Sequence, residues 1–309
     1  MNLSRPVQAL VALCLAAILF PQFGGPSSTS IAPVATAAPP TTPAPTNLKW
    51  LNTENDETDP AITSGDLQLY YSVRVDDRYE VWLSSRKRPD LRWTRGKPVP
   101  ELRGKADYRG VFLVADGRHY PEYLYVGTNA DPMQDDARGS NFDIIRLMRQ
   151  FRGADWTSPT AIHTIDSAAD ELFPWVTADG ASLYFSRQGR DGWRLYVAER
   201  PHGKGAFGEA RPAGFAPGYH HATLTPDGRI MYLQGHVEND RWGLFTSTKV
   251  KGQWTKPQAL TALNSAEGKT GDQAPCLNRN GRTLYFASDR PGGQGGLDLW
   301  MIATALLKK

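Results

Sequence analysis

The chain has 309 residues, 35 basic and 32 acidic, with 40% apolar and 10% aromatic side chains and a formal net charge of +3. A balance so near neutrality gives no reason to expect nucleic acid or a strongly charged partner. Two cysteines, Cys14 and Cys276, are too few for a disulfide-built scaffold, and about 263 residues from Asn47 onward suffice for one large all-β domain.

Residues 1–37 carry one charge, Arg5, and an unbroken apolar run of 12 residues from 9 to 20, the pattern of a secretory signal peptide and short for a membrane span. Ala35-Thr36-Ala37 is a small-residue cleavage site, and an uncleaved N-terminal anchor is the alternative, because the site lies far from the apolar run. Leu13 stands before Cys14 where a lipoprotein signal wants a small residue. Residues 38–46, rich in proline, threonine and alanine, read as an extended tether. The expected location is therefore periplasmic or secreted, tethered to the membrane if the anchor stays, with no other transmembrane segment. Cleavage would leave 34 basic residues against 32 acidic and Cys276 as the single cysteine, hence no internal disulfide.

From residue 47 the chain becomes repetitive. Asn47-Leu48-Lys49-Trp50-Leu51 alternates apolar and polar residues as a strand does. Five copies of an aromatic-centred motif follow, at Leu69-Tyr70-Tyr71, Leu124-Tyr125-Val126, Leu183-Tyr184-Phe185, Met231-Tyr232-Leu233 and Leu284-Tyr285-Phe286. Their steps of 55, 59, 48 and 53 residues mark a repeat architecture. Asp-Gly or Asn-Gly precedes four copies, inverted to Gly65-Asp66 in the first, and predicts a tight hairpin between two strands. A third apolar stretch follows each, such as Val81-Trp82-Leu83 or Leu299-Trp300-Met301, and in copies one to four a fourth runs from an aromatic residue to a proline. Four strands per unit is a propeller blade. Copy five lacks its fourth strand, which the strand at 47 can supply. The expectation is an all-β, five-bladed β-propeller over 47–309, its last blade closed by the N-terminal strand.

Asp170-Glu171-Leu172-Phe173-Pro174 with Asp179-Gly180, and Leu284-Tyr285-Phe286-Ala287-Ser288-Asp289-Arg290-Pro291-Gly292-Gly293 ending in Leu297-Asp298-Leu299-Trp300, resemble the WD40-like (PD40) repeats of TolB-type propellers. Copy two departs most from that pattern, through a longer hairpin and an insertion at 129–141. The resemblance implies an extracytoplasmic propeller that binds something, and leaves the ligand open.

Aligning the copies on the turn puts Glu57, Tyr108, Glu171, Tyr219 and Asp272 at one equivalent position, with Asp56, Asp107 and Asp170 before three of them. If these loops surround one channel mouth, repulsion among the carboxylates favours a bound cation or raised pKa values. Glu57, Glu171 and Asp272 are then the candidate catalytic residues of a glycosidase-like site. The plainer reading is that such acids cap turns or pair with arginines, since repeated residues serve the repeat, and a catalytic pair should break its symmetry. His220-His221 does break it, although neighbours on a strand face opposite ways and poorly share a metal. The 131–136 insertion offers oxygens for calcium without the spacing of a known loop, 291–296 joins strands and makes no phosphate cradle, and no nucleophile elbow is present. The sequence thus points first to a non-catalytic binding module for a protein or envelope glycan, through Asp107, Tyr108, Tyr219, His220, Asp289 and Arg290. The alternative is a carbohydrate-active enzyme. No cofactor is expected beyond a divalent cation such as calcium, and no metal ligand set can be named.

Overall fold

The computed structural model describes residues 44–63, 65–114, 120–131, 137–151 and 153–307. The signal-peptide and tether expectations, and residues 132–136 of the acidic insertion, lie outside the described residues. Among those described, no helix is long and apolar enough to cross a membrane.

A short strand, β1 (Thr46–Asn47), precedes five antiparallel sheets. Blade 1 holds β2 (Glu57–Ile62), β3 (Gln68–Val75), β4 (Arg78–Ser85) and β5 (Lys97–Pro98). Blade 2 holds β6 (Tyr108–Val114), β7 (Glu122–Asp131), β8 (Ala137–Arg149) and β9 (Thr157–Ala161), so the poorly matching copy is a blade like the others. Blade 3 holds β10 (Glu171–Val176), β11 (Ser182–Gly189), β12 (Gly192–Glu199) and β13 (Arg211–Pro212). Blade 4 holds β14 (His220–Leu224), β15 (Ile230–His236) and β16 (Trp242–Val250), with its fourth strand in two pieces, β17 (Gln253–Trp254) and β18 (Gln258–Ala259), both paired to β16. Blade 5 holds β19 (Asp272–Leu277), β20 (Thr283–Ser288) and β21 (Asp298–Ala303). The innermost strands touch in a closed cycle, β2 to β6 to β10 to β14 to β19 and back to β2, which makes the ring five-bladed.

The sequence motif explains the packing. Along each second strand, leucine and tyrosine alternate in direction, so Leu124 packs in the blade 1–2 core and Tyr125 in the blade 2–3 core. Leu183 and Tyr184 do the same one blade on, as do Met231 and Tyr232, then Leu284 and Tyr285, while Tyr285 and Leu69 meet in the blade 5–1 core. The five aliphatic residues are wholly buried, each contributing roughly 1.5–3 kcal/mol. A motif that looks local is therefore the seam between neighbours.

Two local expectations need correction. The hairpins are not two-residue turns: Thr177 N–H donates to Ser182 O at 2.9 Å across a four-residue loop, in which Thr177 Oγ donates to Asp179 Oδ1 at 2.6 Å. Thr63, Thr225 and Asn278 close matching loops. Gly180, Gly228 and Gly281 take the left-handed position there, and the inverted pair puts Asp66 in that position with φ 54°. The closing strand also ends sooner than alternation suggests. Only Thr46 and Asn47 pair with Met301 and Trp300; the chain then turns, and the Asn52 side chain continues the ladder by accepting from Leu299 N–H and donating to Leu299 O.

Candidate functional site

Four of the five innermost strands begin at the aligned position, β14 begins one residue after it, and the acids there are fully buried. Glu171 accepts from Ser167 Oγ at 2.5 Å and from Arg187 Nε at 2.7 Å. Asp272 accepts from Ser265 N–H at 2.6 Å and from the Arg290 guanidinium at 2.5 Å. Both therefore hold the loop that enters the blade and an arginine from the second strand or its end. The preceding aspartates join blades instead: Asp56 accepts from Leu297 N–H, Asp107 from Tyr79 N–H and Asp170 from Phe142 N–H, at 2.8–2.9 Å, each on or just before the third strand of the previous blade. Asp289 collects three backbone N–H groups, from Lys269, Thr270 and Gly271. Tyr108 is half-buried against the blade 1–2 core, and Tyr219 lies edge-on to Phe245 with centroids 5.2 Å apart. These sequence-expected residues, Glu57 and His220 apart, are placed as parts of the repeat.

Glu57 differs. Thr53 donates to it from both N–H, at 2.9 Å, and Oγ, at 2.6 Å, as the matching serine does in blade 3. Yet Val73 stands opposite it where Arg187 stands opposite Glu171, and among the described residues Glu57 has no ion pair. Burial pushes its carboxyl up to about 7, against the Thr53 bonds and helped by the nearby charges of Asp298 and Asp56. Asp143, beside Asp166, Glu171 and Asp170, is likewise pushed up to about 6, chiefly by desolvation. Among the described residues no group of three or more His, Cys, Asp or Glu is arranged to hold a metal.

Two residues beyond the aligned position the ladder slips, and a residue takes a left-handed conformation: Asp59, Gly110, Phe173, His221 and Ala274, with φ between 46° and 66°. The repeated bulge brings the buried side chains of Asp59, Phe173 and His221 together. A Cβ on Gly110 would lie 2.8 Å from the Phe173 ring, so glycine there makes room for it. His221 stacks on Phe173 with centroids 4.1 Å apart and planes 10° from parallel, and its Nδ1 is 4.0 Å from Asp59 Oδ1. Arg109 grips Asp59 from Nε at 3.1 Å and from the terminal nitrogen at 3.3 Å, and its guanidinium lies 4.2 Å from the Tyr79 ring centre. The bulge also gives the two histidines separate surroundings, for His220 stacks on Trp193 and meets Trp242 edge-on. His220 Nδ1 and Gln273 Nε2, from equivalent positions on β14 and β19, are buried without a partner.

The electrostatics of the cluster are divided. Burial opposes the Asp59 charge, but Arg109 and the neighbouring dipoles outweigh it and hold the carboxyl below its usual range. Burial lowers His221 to about 4, with Asp59 opposing and Arg109 assisting, so its ring is neutral above that pH. The buried cluster therefore carries one ionised carboxylate held by one arginine, a neutral imidazole and aromatic rings. Sequence reading missed Asp59, Arg109 and Phe173; the one available signal was that the residue two beyond the aligned position changes character in every copy.

No model of a protein family matches the sequence, and no curated protein does. Among solved structures, the chain is similar to the α-L-arabinofuranosidase PaAbf62A of Podospora anserina, with a TM-score of 0.59 at 13% identity over 85% of this chain and 97% of that one. It is similar also to the catalytic domain of the GH62 α-L-arabinofuranosidase of Coprinopsis cinerea, with 0.58 at 12% over 84% and 98%. The TolB of Acinetobacter baumannii overlaps with a TM-score of 0.43 at 13% identity over 81% and 55%. At these identities the shared property is the five-bladed propeller, and the TolB type rests on the motifs alone. The expectation of a non-catalytic binding module is nonetheless corrected: three propellers that overlap this chain over nearly their whole length are two α-L-arabinofuranosidases and a GH62 hydrolase, which favours the alternative reading taken up below.

Proposed function

We propose that the protein is a carbohydrate-active enzyme that hydrolyses glycosidic bonds, with its reacting carboxylates supplied by blade 1. The observation that carries this is the break in symmetry there. Of the buried acids that begin the innermost strands, Glu57 alone lacks an arginine, and two residues on, Asp59 alone puts a carboxylate at the bulge. Their surroundings separate the two acids: Glu57 keeps its proton up to about pH 7, while Asp59 is held ionised by Arg109. Two carboxyls driven apart in this way suit general acid and general base. Glu57 would protonate the leaving oxygen, and Asp59 would take the proton of the attacking water, as two-carboxylate glycoside hydrolysis requires. Glu171 and Asp272, which repeat one pairing with an arginine of their own blade, serve the scaffold in this reading, whereas Asp59 takes its arginine from the next blade.

An export signal at residues 1–37 would put the substrate in the cell envelope or outside it. The overlap with arabinofuranosidases makes aryl α-L-arabinofuranosides the first substrates to try, followed by other aryl pentosides and hexosides. Replacing Asp59 by Asn together with Arg109 by Gln removes the charge pair without stranding either member, and should abolish turnover while leaving the fold intact. Failure to cleave every glycoside tried, or full activity in the double variant, contradicts the proposal.

A further inference from the structure

A cleft of about 520 Å³ opens where the closing segment meets the outer strands of blade 1, and its wall reaches Thr53, which holds Glu57 from the other side. Its wall includes Lys49, Trp50, Glu54, Trp82, Arg95 and Gln294. Gln294 Nε2 donates to Lys49 O at 2.7 Å, which ties the blade 5 loop to the closing segment across the rim.

Two features of this wall point to a ligand. Trp50 is 54% exposed, the most exposed tryptophan among the large hydrophobics at the surface, and it stands in a turn that the strand does not need. Exposed indole faces suit the apolar face of a pyranose ring. Cations gather around it: the Arg92 guanidinium lies 4.8 Å and the Lys49 ammonium 5.8 Å from the Trp50 ring centre, and Arg95 is exposed beside them. Among the described residues none of these three has a carboxylate partner, and Glu54 is the only acid in the wall.

We infer that this cleft is an accessory site for an acidic saccharide, a glycan whose uronic acid carboxylates pair with Arg95, Arg92 and Lys49 while a sugar ring stacks on Trp50. Planar guanidinium groups match carboxylates in a bidentate fork, so the arginines supply the preference for acidic over neutral sugars. The inference does not depend on hydrolysis at the mouth, since binding is read directly.

The test is titration of oligogalacturonate into the full chain, followed by tryptophan fluorescence and by calorimetry, with a neutral xylo-oligosaccharide as comparison. Saturable binding of oligogalacturonate that weakens with added salt is expected. Trp50→Ala and Arg95→Gln, both at exposed positions that the fold does not need, should each weaken it about tenfold, equivalent to about 1.4 kcal/mol. No binding, binding unchanged in both variants, or equal affinity for the neutral oligosaccharide overturns the inference.

Discussion

Glu57 is the residue at which stability and chemistry pull against each other. Its carboxyl titrates near 4.5 when unfolded and at about 7 in the fold, so protonation favours the folded state. That contribution is complete below pH 4.5 and is lost as pH rises through 7. Glu57→Gln keeps the shape and removes the charge. It should therefore melt with the wild type at pH 4 and above it at pH 8, by about 2–4 °C for each kcal/mol recovered; thermal melts at the two pH values measure this. His221 works in the opposite sense. Its folded value of about 4 lies below the unfolded 6.5, so stability falls as pH drops from 6.5 to 4, and His221→Phe should flatten that limb of the stability curve. Arg290 tests the scaffold role of the repeated acids. Its partner Asp272 is 1% exposed, and Arg290→Ala would strand that charge, lowering unfolding free energy by about 3–5 kcal/mol in a denaturant titration.

At the level of strands, the five inner bulges decide what the mouth contains. Gly110→Ala forces a Cβ onto Phe173 and a side chain into φ 66°, so it should destabilise by about 1–3 kcal/mol and disturb the Phe173–His221 stack. Near-ultraviolet circular dichroism would report the stack and a melt the stability. These bulges also mark the limit of what the sequence could tell. The seams between blades were legible because Leu69, Leu124, Leu183, Met231 and Leu284 recur with an aromatic neighbour, and strand alternation sends the two to opposite sides. A left-handed residue is legible only when it is glycine. Asp59, Phe173, His221 and Ala274 carry no such mark, so the buried Asp59–His221–Phe173 cluster stayed hidden while the acids two residues earlier drew attention. The missing arginine of Glu57 was hidden for a related reason, since it shows only once Val73 is known to face it.

For the whole ring, closure rests on a short stretch of chain. Thr46 and Asn47 pair with β21, Leu48 and Leu51 are buried in the blade 5–1 core, and Asn52 completes the ladder. A chain beginning at residue 52 would leave the β21 edge open and uncover that core. It should melt at least about 5 °C lower and self-associate, which calorimetry and light scattering would show; an unchanged monomer would mean the ring does not need its closing strand. The same ring carries Glu57 and Asp59 on one innermost strand, and the proposed hydrolysis follows from that placement.

The most direct test of the proposed hydrolase is the dependence of its rate on the leaving group, in the wild type and in Glu57→Gln. If Glu57 delivers the proton, its loss should cost about 10²- to 10⁴-fold on an unactivated glycoside and far less on a dinitrophenyl glycoside, whose leaving group departs without help. The wild-type rate should also fall as pH rises above 7, where Glu57 loses its proton. An equal loss on both substrates, or no loss, would contradict the role given to Glu57 and with it the blade 1 site.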